Sequence, residues 1–118
     1  MSLETAEIKG LDVQDALRRL RGNVKLYTKL IGRFVDGSET QALRVSLDAG
    51  DLETAIRDAH TIKGAAANLS AEDIRAKALE LETALKSGES VDESHKALFA
   101  EILALYANLK EQVTPHLQ

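Results

Sequence analysis

Proline stands at a single position, 115, so almost the whole chain runs ahead of it without a residue that must break a helix. Through that stretch apolar residues recur at three- and four-residue intervals. Nowhere does a two-residue alternation run long enough to make a strand. Glycines 10, 22, 50 and 88 punctuate the pattern. Asp12 can cap a short helix with Val13, Ala16, Leu17 and Leu20 on its inner face, ending at Gly22. Asn23 can cap a second, which presents Tyr27, Leu30, Ile31 and Phe34, then Ala42, Leu43 and Leu47, and closes at Gly50. Asp36-Gly37-Ser38 interrupts it and reads as a bend within one helix. Asp51 caps a third, with Leu52, Ala55, Ala59, Ile62, Ala66 and Leu69 at helical spacing. Ser70-Ala71-Glu72-Asp73 reads as a weak capping box before the stripe Ile74, Ala78, Leu81 and Leu85. Ser90-Val91-Asp92-Glu93 reads as a stronger one, before a face of Leu98, Ile102, Leu105 and Leu109 flanked by Phe99, Tyr106 and Val113.

The expected fold is therefore all-α: an antiparallel four-helix bundle with a short N-terminal helix packed at one end. A chain of 118 residues is the size of one domain. We place the bundle at residues 10–114, with an N-terminal extension at 1–9 and a C-terminal tail at 115–118. Met1-Ser2-Leu3 is set aside as an expression remnant. With four aromatics (Tyr27, Phe34, Phe99, Tyr106), the core must come from Leu, Ile, Val and Ala.

The same composition excludes functions. There is no cysteine, hence no disulfide framework, thiolate nucleophile or cysteine-ligated metal. A net charge of −4 and few aromatics argue against a nucleic-acid binder. No apolar run approaches the roughly 18 residues of a membrane span. The N-terminus lacks the basic and apolar regions of a signal peptide, so a cytoplasmic location is expected. Phosphate-binding loops, dinucleotide fingerprints and hydrolase elbows are absent from the sequence.

Of the three histidines, His60, His95 and His116, His60 has Gly64 four residues on and Ile56 four residues back, neither of them a ligand, and no metal site is expected. His95 and His116 read as solvent-facing and structurally neutral. His60 is different. Ala55, Ala59, Ile62, Ala66 and Leu69 centre the buried stripe of its helix, and at about 100° per residue His60 falls on the opposite, exposed side. Lys63 and Gly64, three and four residues on, share that side. Glycine inside a helix costs about 1 kcal/mol relative to alanine, and Ala65, Ala66 and Ala67 follow directly. A glycine here is expected where something must approach the backbone. Ile56, Gly64 and Ala67 would leave His60 on a low platform with one cation beside it. An exposed imidazole is a nitrogen nucleophile near neutral pH, and the Lys63 ammonium would offset the charge of a phosphoryl group placed on it.

Ala59-His60-Thr61-Ile62-Lys63-Gly64-Ala65-Ala66-Ala67-Asn68-Leu69 resembles the signature of histidine-containing phosphotransfer (HPt) domains of bacterial phosphorelays. The opening Gly10-Leu11-Asp12 with Ala16–Asn23 and Leu26-Tyr27, and the stretch Ala78-Leu79-Glu80-Leu81-Glu82, are also similar to the family. The resemblance spans about residues 10–113. It implies a four-helix bundle whose histidine accepts a phosphoryl group from a receiver-domain phospho-aspartate and passes it to another receiver aspartate. His60 would be the phosphorylated residue, Lys63 its charge partner and Gly64 the small neighbour that admits the receiver, with Ile56, Gly64 and Ala67 in the docking surface. Glu82 falls where the family often places a side chain that hydrogen-bonds the imidazole; a solvated surface carboxylate is the other reading, and both stay open. Ser70 departs from the family, which usually has glycine there. Serine can instead cap the next helix.

The implied partners are response-regulator receiver domains, or a hybrid sensor histidine kinase in the same chain, with no nucleic acid and no membrane contact. A complete bundle with capped ends is expected to be a monomer. No cofactor is expected here, the divalent metal belonging to the receiver, and no ATP-binding site, so the domain is a phosphocarrier and not an enzyme. Competing readings are the phosphoacceptor domain of a chemotaxis-type histidine kinase and a non-catalytic interaction bundle. A kinase dimerisation module fits poorly: Thr61 follows His60 where such helices carry an acidic residue.

Overall fold

A computed structural model describes residues 2–117; Met1 and Gln118 lie outside the described residues. Six α-helices follow one another: α1 (Val13–Arg19), α2 (Val24–Val35), α3 (Ser38–Asp48), α4 (Leu52–Asn68), α5 (Glu72–Ser87) and α6 (Glu93–Val113). Short 3-10 turns at Leu3–Thr5 and Thr114–His116 flank them. Among the described residues there is no strand, only isolated bridges pairing Leu11 with Ile8 and with Ala71. The chain is thus an all-helical bundle, and no described helix is long and apolar enough to cross a membrane.

Local chemistry explains the helix starts. Asp12, Asn23 and Asp51 each accept a hydrogen bond from the backbone N–H three residues on, those of Asp15, Leu26 and Thr54. Each bond satisfies one of the donors that a first helical turn leaves without a partner. The core lies where the helical spacing puts it. Ile31, Leu43, Ala55, Ala59, Ile62, Ala66, Ala78, Leu81, Leu85 and Ile102 are fully enclosed. Small residues on α4 let its neighbours approach closely, since interhelical distance follows the side chains at the contact. α4 packs on α5 and α3, α5 on α6, and α2 and α3 on α6. The contacts show opposed directions. Along α5, Lys77 meets Glu101 and Ala84 meets His95, so α6 runs back as α5 advances. Phe34 against Tyr106 and Arg44 over Phe99 show the same for the α2–α3 arm against α6. α1 clasps the far end of the α4–α5 hairpin: the Asp12 N–H donates to the Ser70 carbonyl at 2.8 Å, and Ser70 Oγ donates to Asp15 at 2.7 Å.

Several local expectations need correction. Asp36-Gly37-Ser38 separates two helices rather than bending one. Gly37 takes a left-handed φ of 78°, which ends α2, and its carbonyl accepts from Thr40 to open α3. A residue in that conformation cannot continue a right-handed helix, and glycine adopts it without strain. Within α3, Ala42 is exposed and Ser46 takes its place inside, bonded to Leu43 O and to Asp58 of α4. Ser70 is not a helix cap: it is fully buried, with φ of 58°, and Ala71 precedes α5 without a side-chain cap. The usual family glycine therefore marks a left-handed position, which this chain fills with a serine tied to Asp15 and Arg19.

The α6 cap is Asp92, not Ser90, and its partner is His95. His95 is buried, not solvent-facing. The Asp92 N–H donates to its Nδ1 at 3.0 Å, so Nε2 carries the proton and donates to the Ala84 carbonyl at 3.1 Å. One ring thereby joins the last turn of α5 to the first turn of α6. The buried face of α6 is correspondingly turned toward Phe99, Tyr106 and Val113, with Leu98 and Leu105 at its edge. His116 is half-buried rather than exposed.

The last correction concerns the N-terminus, which the fold expectation leaves aside. Leu3 is fully buried and Ile8 nearly so, both within the main core cluster, so the extension takes part in the core. Leu3→Ala is expected to lower stability by about 2–4 kcal/mol, the range for emptying a closed leucine site. A urea-denaturation midpoint unchanged from wild type would contradict this.

Candidate functional site

The site is built by one helical hairpin. On α4, Ala59 and Ile62 are fully enclosed, which turns the intervening His60 outward: its side chain is 64% exposed. On α5, Leu81 and Leu85 face the core, and Glu82 sits at the seam where α5 meets α4, its side chain 3% exposed. The connection between the helices is only Leu69–Ala71, so the hairpin register brings the two positions together.

Glu82 is the hub. Its Oε2 lies 2.9 Å from His60 Nδ1, its Oε1 lies 2.7 Å from Lys63 Nζ, and Lys86 Nζ lies 3.2 Å from Oε2. Burial pushes the Glu82 carboxyl up, but contacts with Lys63, Lys86 and His60 outweigh it and lower the pKa from 4.5 to about 2. An ionised carboxylate only accepts hydrogen bonds, so the proton of a neutral His60 ring sits on Nδ1 and the lone pair is left on Nε2. A buried carboxylate thus fixes the tautomer of an exposed imidazole.

His60, Lys63 and Glu82 meet directly. The surface-carboxylate reading of Glu82 does not hold, and Lys63 binds Glu82 instead of standing free beside the imidazole. Gly64 lies beside them with open space around it: a methyl group there would meet nothing within 4 Å outside its own helix. Packing therefore gives no reason for a glycine. Ile56 is half-buried against the core edge and Ala67 is half-buried on the exposed side of α4. Sequence reasoning missed Lys86, although its place four residues after Glu82, an ion-pair spacing, was a readable signal.

The main clefts of the described surface lie along residues 6–14, beside Glu4–Val24, and between α2, α3 and α4, and none is lined by His60, Lys63, Gly64 or Glu82. No group of three or more metal-binding side chains occurs among the described residues.

A single-domain helical bundle that displays one carboxylate-anchored imidazole on an open surface belongs to the class of carrier modules, whose chemistry is completed by another protein. The family model of the Hpt domain matches residues 29–112, well over half of the chain. The chain belongs to the Hpt domain family, the histidine phosphotransfer modules of two-component phosphorelays, which interact with response-regulator receiver domains. The match begins at Lys29 inside α2, so the resemblance noted before that residue lies outside it. No curated protein and no solved structure matches the chain.

Proposed function

We propose that this domain carries a phosphoryl group on His60 Nε2, received from the phospho-aspartate of one receiver domain and delivered to the aspartate of another. The observation that carries this reading is the 2.9 Å contact between His60 Nδ1 and the buried Glu82 carboxylate on an otherwise open surface. It leaves an oriented nitrogen nucleophile exposed. With its side chain 64% exposed, the imidazole is accessible to the catalytic aspartate and divalent metal of a docked receiver, which supply the rest of the chemistry. The domain itself is a phosphocarrier in the cytoplasm, with receivers as partners and no cofactor of its own. Ile56, Gly64 and Ala67 contribute to the docking surface, and Lys63, one helical turn on from His60 and paired with Glu82, is the charge partner of the phosphoryl group.

The test is labelling. A phosphorylated receiver domain should transfer an acid-labile, base-stable phosphoryl group to the chain, whereas ATP alone should transfer none. Labelling by ATP alone, or an acid-stable adduct, would defeat the proposal.

Gly64 separates access from stability. Gly64→Ala should keep the fold and stabilise it by up to about 1 kcal/mol, because alanine is the better helix former and the site has room. Gly64→Gln should fold equally well but slow transfer from a receiver, by steric exclusion. Wild-type transfer rates in Gly64→Gln would remove Gly64 from the docking surface.

A further inference from the structure

The geometry points to Lys86 as a positioning residue for His60, which acts through Glu82 and keeps that carboxylate from holding the imidazole in its cationic form. The inference rests on the reading of His60 as phosphoryl acceptor. It starts from a conflict within the site. A carboxylate 2.9 Å from Nδ1 orients the ring, but an adjacent negative charge also favours a second proton on it. The imidazolium has no lone pair and cannot attack phosphorus. Glu82 alone would orient the nucleophile and disarm it together.

The structure offers the remedy on the same atom. Lys86 Nζ sits 3.2 Å from Oε2, the oxygen that faces His60, while Lys63 holds the other oxygen. One ammonium balances the carboxylate. The second makes the cluster around the ring net positive, which opposes a further proton on Nε2. Among the described residues, the charged neighbours of His60 along α4 are engaged elsewhere. Arg57, one turn back on α4, is paired with Glu53 at 3.9 Å, and Asp58 is engaged by Ser46 of α3. From α5 the facing charges are Glu82 and Lys86. The Lys86 side chain is 60% exposed, so it can be replaced without emptying the core.

Phosphoramidate is a suitable probe because it needs no receiver. The Nε2 lone pair attacks phosphorus, the P–N bond of the donor breaks, and ammonia leaves. The positive charge of the donor nitrogen passes to the ring, whose Nδ1–H faces Glu82. Phosphorylation rates are measured against pH for wild type, Lys86→Met, Lys86→Arg and His60→Gln; the donor's own protonation is common to all four. In Lys86→Met the acidic limb of the profile should move to higher pH by about half to one unit, the scale of one charge acting across a partly exposed site. The rate should fall at acidic pH by up to about three- to tenfold, the ceiling for a shift of that size, and stay within about twofold at pH 8.5. Lys86→Arg should restore the wild-type profile. Ring 15N resonances of His60 should show the cationic form persisting to higher pH in Lys86→Met. A Lys86→Met profile that coincides with wild type, or that drops equally at every pH, would overturn the inference; the second outcome would mean that Lys86 only attracts the anionic donor. Labelling of His60→Gln would instead bring down the functional reading beneath it.

Discussion

His60→Gln should abolish phosphoryl acceptance from a phosphorylated receiver while the bundle stays folded. The His60 side chain is 64% exposed and packs into no core site, so little stability depends on it. Glutamine can still donate a hydrogen bond to the Glu82 carboxylate, which keeps that buried group satisfied. What the substitution removes is the lone pair on Nε2, and an amide nitrogen does not replace it as a nucleophile. The expected result is loss of label to background, with an unchanged far-ultraviolet circular dichroism spectrum. Label persisting on the variant would move the acceptor elsewhere.

The second large effect is on acid stability, and it belongs to Glu82. Its carboxyl titrates near 2 in the folded chain against an ordinary 4.5, so folding favours the ionised form. A depressed pKa contributes stability that is fully present above about pH 4.5 and is lost as pH falls toward 2. At 1.36 kcal/mol per unit the shift corresponds to about 3.4 kcal/mol, discounted to about 2 kcal/mol because His60 and Lys86 are well solvated. Asp15, Asp51 and Asp92 are also held below their ordinary values by hydrogen bonds, and they remain in both proteins compared. The measurement is therefore a difference: urea midpoints of wild type and Glu82→Gln between pH 7 and pH 2. Wild type should be the more stable by about that amount at pH 7, and the gap should close as the pH falls. A gap independent of pH would show that the carboxylate charge contributes nothing to the fold. The same variant should also slow phosphotransfer, because the amide no longer compels Nδ1 to carry the proton.

Which parts of this were legible beforehand follows from the range of the interactions involved. The helix starts at Asp12, Asn23 and Asp51 are set by contacts over three residues, and a linear reading captures such contacts. The outward direction of His60 is likewise a matter of helical period. Gly37 was misread because a bend and a break share the same three residues; only the sign of its φ separates them. Ser70 was misread for a related reason. A hydroxyl ahead of a helix suggests a cap, yet this one is spent on Asp15, fifty-five positions away in sequence. The reading of Leu3 failed because the surface that buries it is assembled from distant segments. Glu82 was readable only as a choice between two environments, since whether a carboxylate on α5 meets solvent or α4 depends on the register across the hairpin. Lys86 entered only once Glu82 had been placed.

His95 carries a consequence of a different kind. Its two ring nitrogens are both occupied, one accepting from Asp92 and one donating to Ala84, and the ring is closed off from solvent. An electrophile therefore finds no lone pair there. Of the three imidazoles in the chain, His95 serves as a fastener between α5 and α6, while His60 stands exposed. On the reading of His60 as acceptor, no second resting place at His95 competes for the group.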